Sequence, residues 1–246
     1  AKEWDALIAL AGKLPGGEAL ALDDSLFASF QAGRASPAQL IAGARELSTN
    51  PDSYASASGM DSLQWFFSAG MLDEAGEAGY RRLVGQVYAP HLAALGFDPR
   101  AKAYAGEDPE KSEMRAEAVG KLAIVARDPA LRKQLGDAAR AYLGGDRAAL
   151  DPAWFRSAFA IVIDEGGIEA AKRVAELGLG SQDPLLRPAA LGAVTASGQT
   201  DIARWLLTDF DDPRLRASEK LGLIRGVVAR RETRDFGFGW LKDNYE

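Results

Sequence analysis

The sequence predicts an all-α protein built by stacking antiparallel helical hairpins, and three observations carry that prediction. Asp-Pro dipeptides recur at Asp98-Pro99, Asp108-Pro109, Asp128-Pro129, Asp151-Pro152, Asp183-Pro184 and Asp212-Pro213, and each after the first stands just before an apolar run with helical spacing. Single or paired glycines close many of these runs. Strand signals, the alternation of apolar and polar residues between turn residues, are nearly absent.

The start signals have a physical basis. An Asp carboxylate accepts a hydrogen bond from an unpaired amide of the first turn, while Pro sits where its missing N–H costs nothing and its fixed φ already suits a helix. Taken in order, Ser36 before Pro37 reads as an N-cap. Gly70 and Gly96 each follow a periodic segment and suit the left-handed cap conformation. Beyond Asp108, the residues Met114, Ala118, Leu122 and Val125 form an apolar stripe, with Glu113, Glu117 and Lys121 off it, as in an amphipathic helix. The run after Asp128 ends at Gly144-Gly145. After Asp151, the stretch 154–163 is apolar on nearly every side through Phe155, Phe159, Ile161 and Val162, so it is expected to lie centrally.

Gly166-Gly167 then reads as a turn between antiparallel helices rather than an anion cradle. After Asp183, the residues Leu186, Ala189, Ala190, Ala193 and Val194 repeat the stripe, with alanines small enough for two helices to approach closely, and Gly198 closes the run. The sum is about a dozen helices joined by short turns. From about Glu110 onward the hairpins resemble a degenerate solenoid, a HEAT/armadillo-like right-handed superhelix with a concave face. Only 14–17 and 97–106 carry enough Pro, Gly and charge for a hinge, and neither reads as a domain linker. The expectation is one domain, 1–246, with sub-groups 1–96 and 97–246.

Composition narrows the function classes. A chain of 246 residues, 47% hydrophobic and 26% charged, can bury a substantial core. A formal charge of -6 argues against a nucleic-acid partner, because binding a polyanion requires a surplus of Lys and Arg. No run approaches the roughly 18 apolar residues of a membrane helix, so no membrane partner is expected. The absence of cysteine excludes disulfides and thiolate sites but leaves the compartment open between cytoplasm and periplasm. The chain opens Ala1-Lys2-Glu3-Trp4 without an initiator Met, which fits a piece of a longer polypeptide.

Candidate chemistry is sparse. His91 is the single histidine, so an H-E-x-x-H zinc site cannot be assembled, and no G-x-S-x-G elbow supplies a nucleophile for it. The carboxylate pairs Asp23-Asp24, Asp73-Glu74, Asp164-Glu165 and Asp211-Asp212 invite an acid–base reading. Adjacent carboxylates point in different directions along a helix, and most of these fall at predicted helix ends, where capping explains them. Asp235-Phe236-Gly237 spells a kinase tripeptide without the other kinase segments. A local basic bias, Arg214, Arg216, Lys220, Arg225, Arg230, Arg231 and Arg234, is able to present guanidinium groups to a carboxylate such as a peptide C-terminus. Solvated helix faces with Glu219, Glu232 and Asp235 as neighbours are the plainer explanation.

Several segments, in order, resemble one family. The run 22–33, Leu-Asp-Asp-Ser-Leu-Phe-Ala-Ser-Phe-Gln-Ala-Gly, is similar to the D-D-A-F-x-L-A-x-A-G segment that opens the C-terminal helical domain of zinc aminopeptidases of the aminopeptidase N type. Leu95-Gly96-Phe97-Asp98, then Gly106-Glu107-Asp108, then Met114-Arg115 resemble its L-G-W-x-P, G-E-D and L-R segments. Near the end, 238–245 resembles W-x-F-L-K-E-N-W. In this gluzincin family the zinc ligands and substrate-amine contacts lie in an upstream domain, and none of those motifs occurs here. The resemblance therefore implies no catalytic residue, no metal residue and no cofactor in this chain, with zinc belonging to the parent enzyme.

The implied role is a non-catalytic C-terminal domain that closes over the upstream catalytic domain of the same polypeptide and controls access of peptide substrate, the parent removing N-terminal residues from peptides. Arg214, Arg216, Arg225, Arg230 and Arg231 are the expected substrate-facing residues. The alternative is a free-standing helical-repeat module for protein–protein interaction.

Overall fold

A computed structural model describes residues 2–244 of the chain, and among these all regular structure is helical, as the sequence predicts. The chain divides into two compact units, residues 1–90 and 91–246. The division falls inside a helix, six residues before the Gly96 at which the expected sub-groups part.

The first unit contains α1 (Lys2–Ile8), a 3-10 turn at Ala11–Lys13, α2 (Gly16–Gln31), α3 (Pro37–Leu47), α4 (Ser53–Ser68) and most of α5 (Glu74–Leu95). Ser36 caps α3 in a reciprocal capping box: its hydroxyl accepts from the Gln39 amide and the Gln39 side chain accepts from the Ser36 amide. Asp73 accepts from the Gly76 amide at the start of α5, which accounts for one predicted carboxylate pair. Core residues come from α1, α2 and α3: Ile8, Leu26 and Leu40 pack with Phe27, Phe30, Leu63 and Phe66 around them. Asn50, itself buried, donates to the carbonyls of Ala11 (2.9 Å) and Leu14 (3.0 Å), so the expected hinge at 14–17 is tied to the α3–α4 turn.

The second unit contains α6 (Pro109–Gly120), running into a π-helical turn at Lys121–Ala126, and α7 (Pro129–Leu143). A 3-10 turn at Pro152–Trp154 leads into α8 (Phe155–Leu179), followed by α9 (Leu186–Thr195). Then come α10 (Thr200–Arg204) with a π-helical turn at Trp205–Asp209, α11 (Ala217–Ala229) and α12 (Arg234–Asp243). Asp108, Asp128 and Asp151 each accept from an amide of the turn they precede, and Asp183 accepts from the Leu185 and Leu186 amides as α9 begins.

Asp212 is the exception. Its carboxylate takes the backbone N–H and the guanidinium of Arg214, forming a local turn, and α11 starts only at Ala217.

Each predicted helix stop has a glycine at positive φ: Gly70, Gly96, Gly145, Gly167 and Gly198. Gly167, at φ 58° and ψ -149°, breaks α8 into two helices. A side chain would be strained in that conformation, and glycine, having none, lets the chain turn there. Trp154, Phe155, Ala158, Phe159 and residues 161–163 are buried, as expected of the all-apolar stretch, with Phe159 stacked on Phe155 at 5.5 Å. Ala190 of α9 stands close to Gly178 of α8, where an added Cβ would meet the Ala190 Cβ at 3.0 Å. This is the close helix pair that the alanines predict.

The stretch 97–106, expected as a hinge, is pinned instead. The Ala101 amide donates to the Ala148 carbonyl (3.0 Å), the Asp151 amide to the Pro99 carbonyl (2.8 Å) and the Lys102 amide to the Asp151 carboxylate (2.7 Å).

Candidate functional site

The expected substrate-facing arginines lie on α11 and the segments flanking it. α11 buries Leu223 and Val227, one turn apart, and Arg225 between them falls on the opposite, exposed face. Arg216 caps the start of α11 and Arg230 its end, both exposed, with Arg231 following. Fourteen residues at helical rise put Arg216 and Arg230 about 21 Å apart. These side chains therefore line a surface rather than converge on one carboxylate.

Arg214 behaves differently from the rest. Its guanidinium binds Glu176 of α8 through two bonds (2.8 and 2.7 Å) and Asp212 through Nε and Nη2 (3.0 and 2.8 Å). Those hydrogen bonds hold the Asp212 carboxyl down at about 2 and keep Arg214 firmly protonated. Arg216 contributes its backbone N–H to Glu219 (2.8 Å) and leaves its guanidinium in solvent. Among the described residues Arg225 and Arg230 meet no carboxylate. The Arg234 guanidinium reaches toward the carbonyls of Val228 and Ala229 at the end of α11.

Beneath this surface lies a buried arginine that the sequence alone did not single out. Arg187, in the first turn of α9 and 4% exposed, binds Glu219 through two bonds (2.6 and 2.8 Å). Its remaining donors go to the carbonyls of Leu179, Ser181 and Arg214. Arg187 holds the Glu219 carboxyl down at about 2. The solvent-facing arginines thus stand on a segment fixed from below by the pairing of a buried arginine with a half-buried glutamate.

The resemblance motifs converge on a second such knot. Arg115, 2% exposed, donates to both oxygens of Glu107, to the Leu95 carbonyl (2.8 Å) and to the Gly96 carbonyl (3.0 Å), and its guanidinium lies over the Tyr104 ring at 3.6 Å. The L-G, G-E-D and L-R segments therefore meet at one point.

The other sequence candidates have ordinary partners. Asp164 binds Arg127 and Arg132, and Glu165 binds Arg140. Asp211 binds Lys220. Asp23 is buried against Ser62. His91 is half-buried in α5 and has partners of its own. Among the described residues no three His, Asp or Glu side chains come together as a metal ion's ligand set requires. No described helix is long and apolar enough to cross a membrane.

The family model described as ERAP1-like C-terminal domain matches residues 1–246, the whole chain. No curated protein sequence matches it.

Proposed function

The chain belongs to the ERAP1-like C-terminal domain family, the helical C-terminal domain of M1 aminopeptidases, and on that premise we propose that it walls the substrate chamber of a zinc aminopeptidase and controls which peptides enter. The single observation that supports this most is the full-length family match. The catalytic partner is a domain of the same polypeptide, and it supplies the zinc and the bond-making groups. This chain supplies enclosure: a walled chamber excludes bulk water and selects substrates by size, while polar groups on its wall hold the far end of a peptide.

Arg216, Arg225, Arg230 and Arg231 are the proposed wall contacts for peptide, with Arg214 spent on positioning the segment they stand on. Exposed guanidinium groups spread along about 21 Å suit peptides of varied length better than a single fixed carboxylate.

The test compares the catalytic domain alone with the catalytic domain joined to this chain. Joined, the enzyme should cleave a ten-residue peptide while sparing the unstructured N-terminus of a folded protein, and the catalytic domain alone should cleave both. Replacing Arg225 and Arg230 by Ala should raise KM for the peptide and leave a small aminoacyl anilide unaffected. Equal treatment of folded and short substrates by the joined enzyme would sink the proposal.

A further inference from the structure

The first unit holds a cavity of about 560 Å³ between α2, α3, α4 and α5. Its walls are apolar, built by Phe30, Leu40, Leu63, Phe66, Leu72 and Leu83. It shares no residue with the α11 arginines, and its size falls within the range of small-molecule sites.

Three features of the lining bear on what fits. First, its only charged side chains are Arg45 and Arg82, in a chain whose net charge is -6. Arg45 donates to the Gln86 side chain (3.1 Å), bridging α3 and α5 at the lip. Arg82 has no carboxylate partner among the described residues. Second, the helix face that α5 turns to the cavity carries Gly76 and Gly79. A Cβ on Gly79 would meet nothing closer than the Arg82 Nη2 at 3.9 Å. The missing side chain therefore keeps space open directly beside a guanidinium, although Gly inside a helix costs about 1 kcal/mol relative to Ala. Third, the Tyr80 ring forms part of the wall, and its hydroxyl is buried without a hydrogen-bond partner.

An apolar chamber with cationic groups at its edge and no acidic residue in its lining matches one chemistry, an apolar body ending in a single anionic group. The planar fork of Arg pairs bidentately with a carboxylate, the smallest such head group. We propose that this cavity binds a small amphipathic carboxylate, its tail among Phe30, Phe66 and Leu83 and its head group against Arg82 and Arg45. The proposal stands independently of the chamber-wall function, since it concerns a cavity wholly within the first unit.

Decanoate, decan-1-ol and decyltrimethylammonium, titrated calorimetrically into the full chain below their aggregation concentrations, form the test. Decanoate should saturate at one per chain and bind at least about tenfold more tightly than the alcohol, the value of one charge-assisted contact. The ammonium compound should show no saturable site. Arg82→Gln should bring decanoate to the alcohol's affinity without changing the alcohol's own. Gly79→Leu, which puts an apolar side chain into the open space beside Arg82, should weaken binding of decanoate. Ile41→Glu should abolish decanoate binding by placing a carboxylate in the wall, and because Ile41 is 39% exposed this variant should fold even where the Gly79 variant does not. Far-UV circular dichroism identifies the folded variants. Equal affinity for all three head groups, uptake without saturation, or saturable binding untouched by Ile41→Glu would each overturn the proposal.

Discussion

Replacing Arg115 tests whether the motifs that carry the family resemblance are structural. The side chain is 3% exposed, and it satisfies a carboxylate and two backbone carbonyls at once. Removing it by Arg115→Ala leaves the Leu95 and Gly96 carbonyls without their side-chain donor and Glu107 without its counter-charge. A hydrogen bond to a charged group contributes about 1.5–3 kcal/mol, but four such bonds do not add, and Glu107 keeps 18% exposure through which water can return. The expected loss is therefore that of one broken buried pair, about 3–5 kcal/mol. For a unit of this size that lowers Tm by roughly 2–4 °C per kcal/mol, or roughly 6–20 °C.

Arg115→Lys should recover only part of the loss, because one ammonium group cannot reach the carboxylate and both carbonyls in their separate directions. The pH dependence carries a sign of its own. Arg115's hydrogen bonds hold the Glu107 carboxyl below its ordinary 4.5, so this stabilisation is present above that pH and is lost as pH falls through the folded value. Arg115→Ala should flatten that acid limb. Thermal and urea denaturation followed by circular dichroism at pH 7 and pH 3 measure both effects. A loss under about 1 kcal/mol would refute the structural reading and make Arg115 a candidate for some other role.

Burial pushes the Asp23 carboxyl above its ordinary 3.8, against the opposing hydrogen bond from Ser62, and the nearby Asp24 adds to the rise. The unfolded chain then releases this proton before the folded chain does, so stability falls as pH rises from 3.8 through the folded value. Asp23→Asn should raise Tm at pH 7, with the gain vanishing below pH 3.8, as melting curves across pH will show. At the α3–α4 contact, an added Cβ on Gly59 would stand 2.7 Å from the Ala44 Cα. Gly59→Ala should therefore cost about 1–3 kcal/mol in urea denaturation, from overpacking that outweighs the alanine's better helix propensity. Asp128→Ala removes the carboxylate that accepts from the Leu131 amide at 2.8 Å and should cost about 1 kcal/mol; an equal cost from Asp128→Asn would point to the charge rather than the cap.

What the sequence makes legible here is local. The Asp-Pro starts at Asp108, Asp128, Asp151 and Asp183, and the stop at Gly167, depend on a few consecutive residues whose backbone preferences are strong enough to survive any tertiary context. Asp212 misleads because the same carboxylate has a nearer claimant, the Arg214 two residues on. The π-helical turn at Lys121–Ala126 ends on Arg127 in the left-handed region (φ 59°), where no glycine gives warning. The amphipathic stripe is offset as well. Ala118 and Leu122 are buried as read, but Arg115 is buried beside them while Met114 is only half-buried. No periodicity argument puts an arginine in a core. Of the candidate site, the positions of the α11 arginines were legible, whereas the commitment of Arg214 to Glu176 and the cavity among α2–α5 arise from residues distant in sequence.

The two buried arginines solve the same problem in the same way. A helix ends with carbonyls that have no intrahelical partner, and when the next helix packs against that end, water cannot reach them. Arg115, in α6, reaches back to Leu95, the last residue of α5, and to Gly96 beyond it. Arg187, in α9, reaches back to Leu179, the last residue of α8, and to Ser181 beyond it. In both cases the cation sits at the negative end of the preceding helix dipole, and a glutamate, Glu107 or Glu219, holds the guanidinium from the other side. A guanidinium suits this task because its donors fan out in one plane, so a single side chain can serve two carbonyls and a carboxylate. Caps and glycines tell each helix where to begin and end, but they do not fix how one helix meets the next. Here an arginine stands where a hydrophobic residue would leave the carbonyls at the helix end unsatisfied, and in the sequence such a residue looks like an ordinary surface charge.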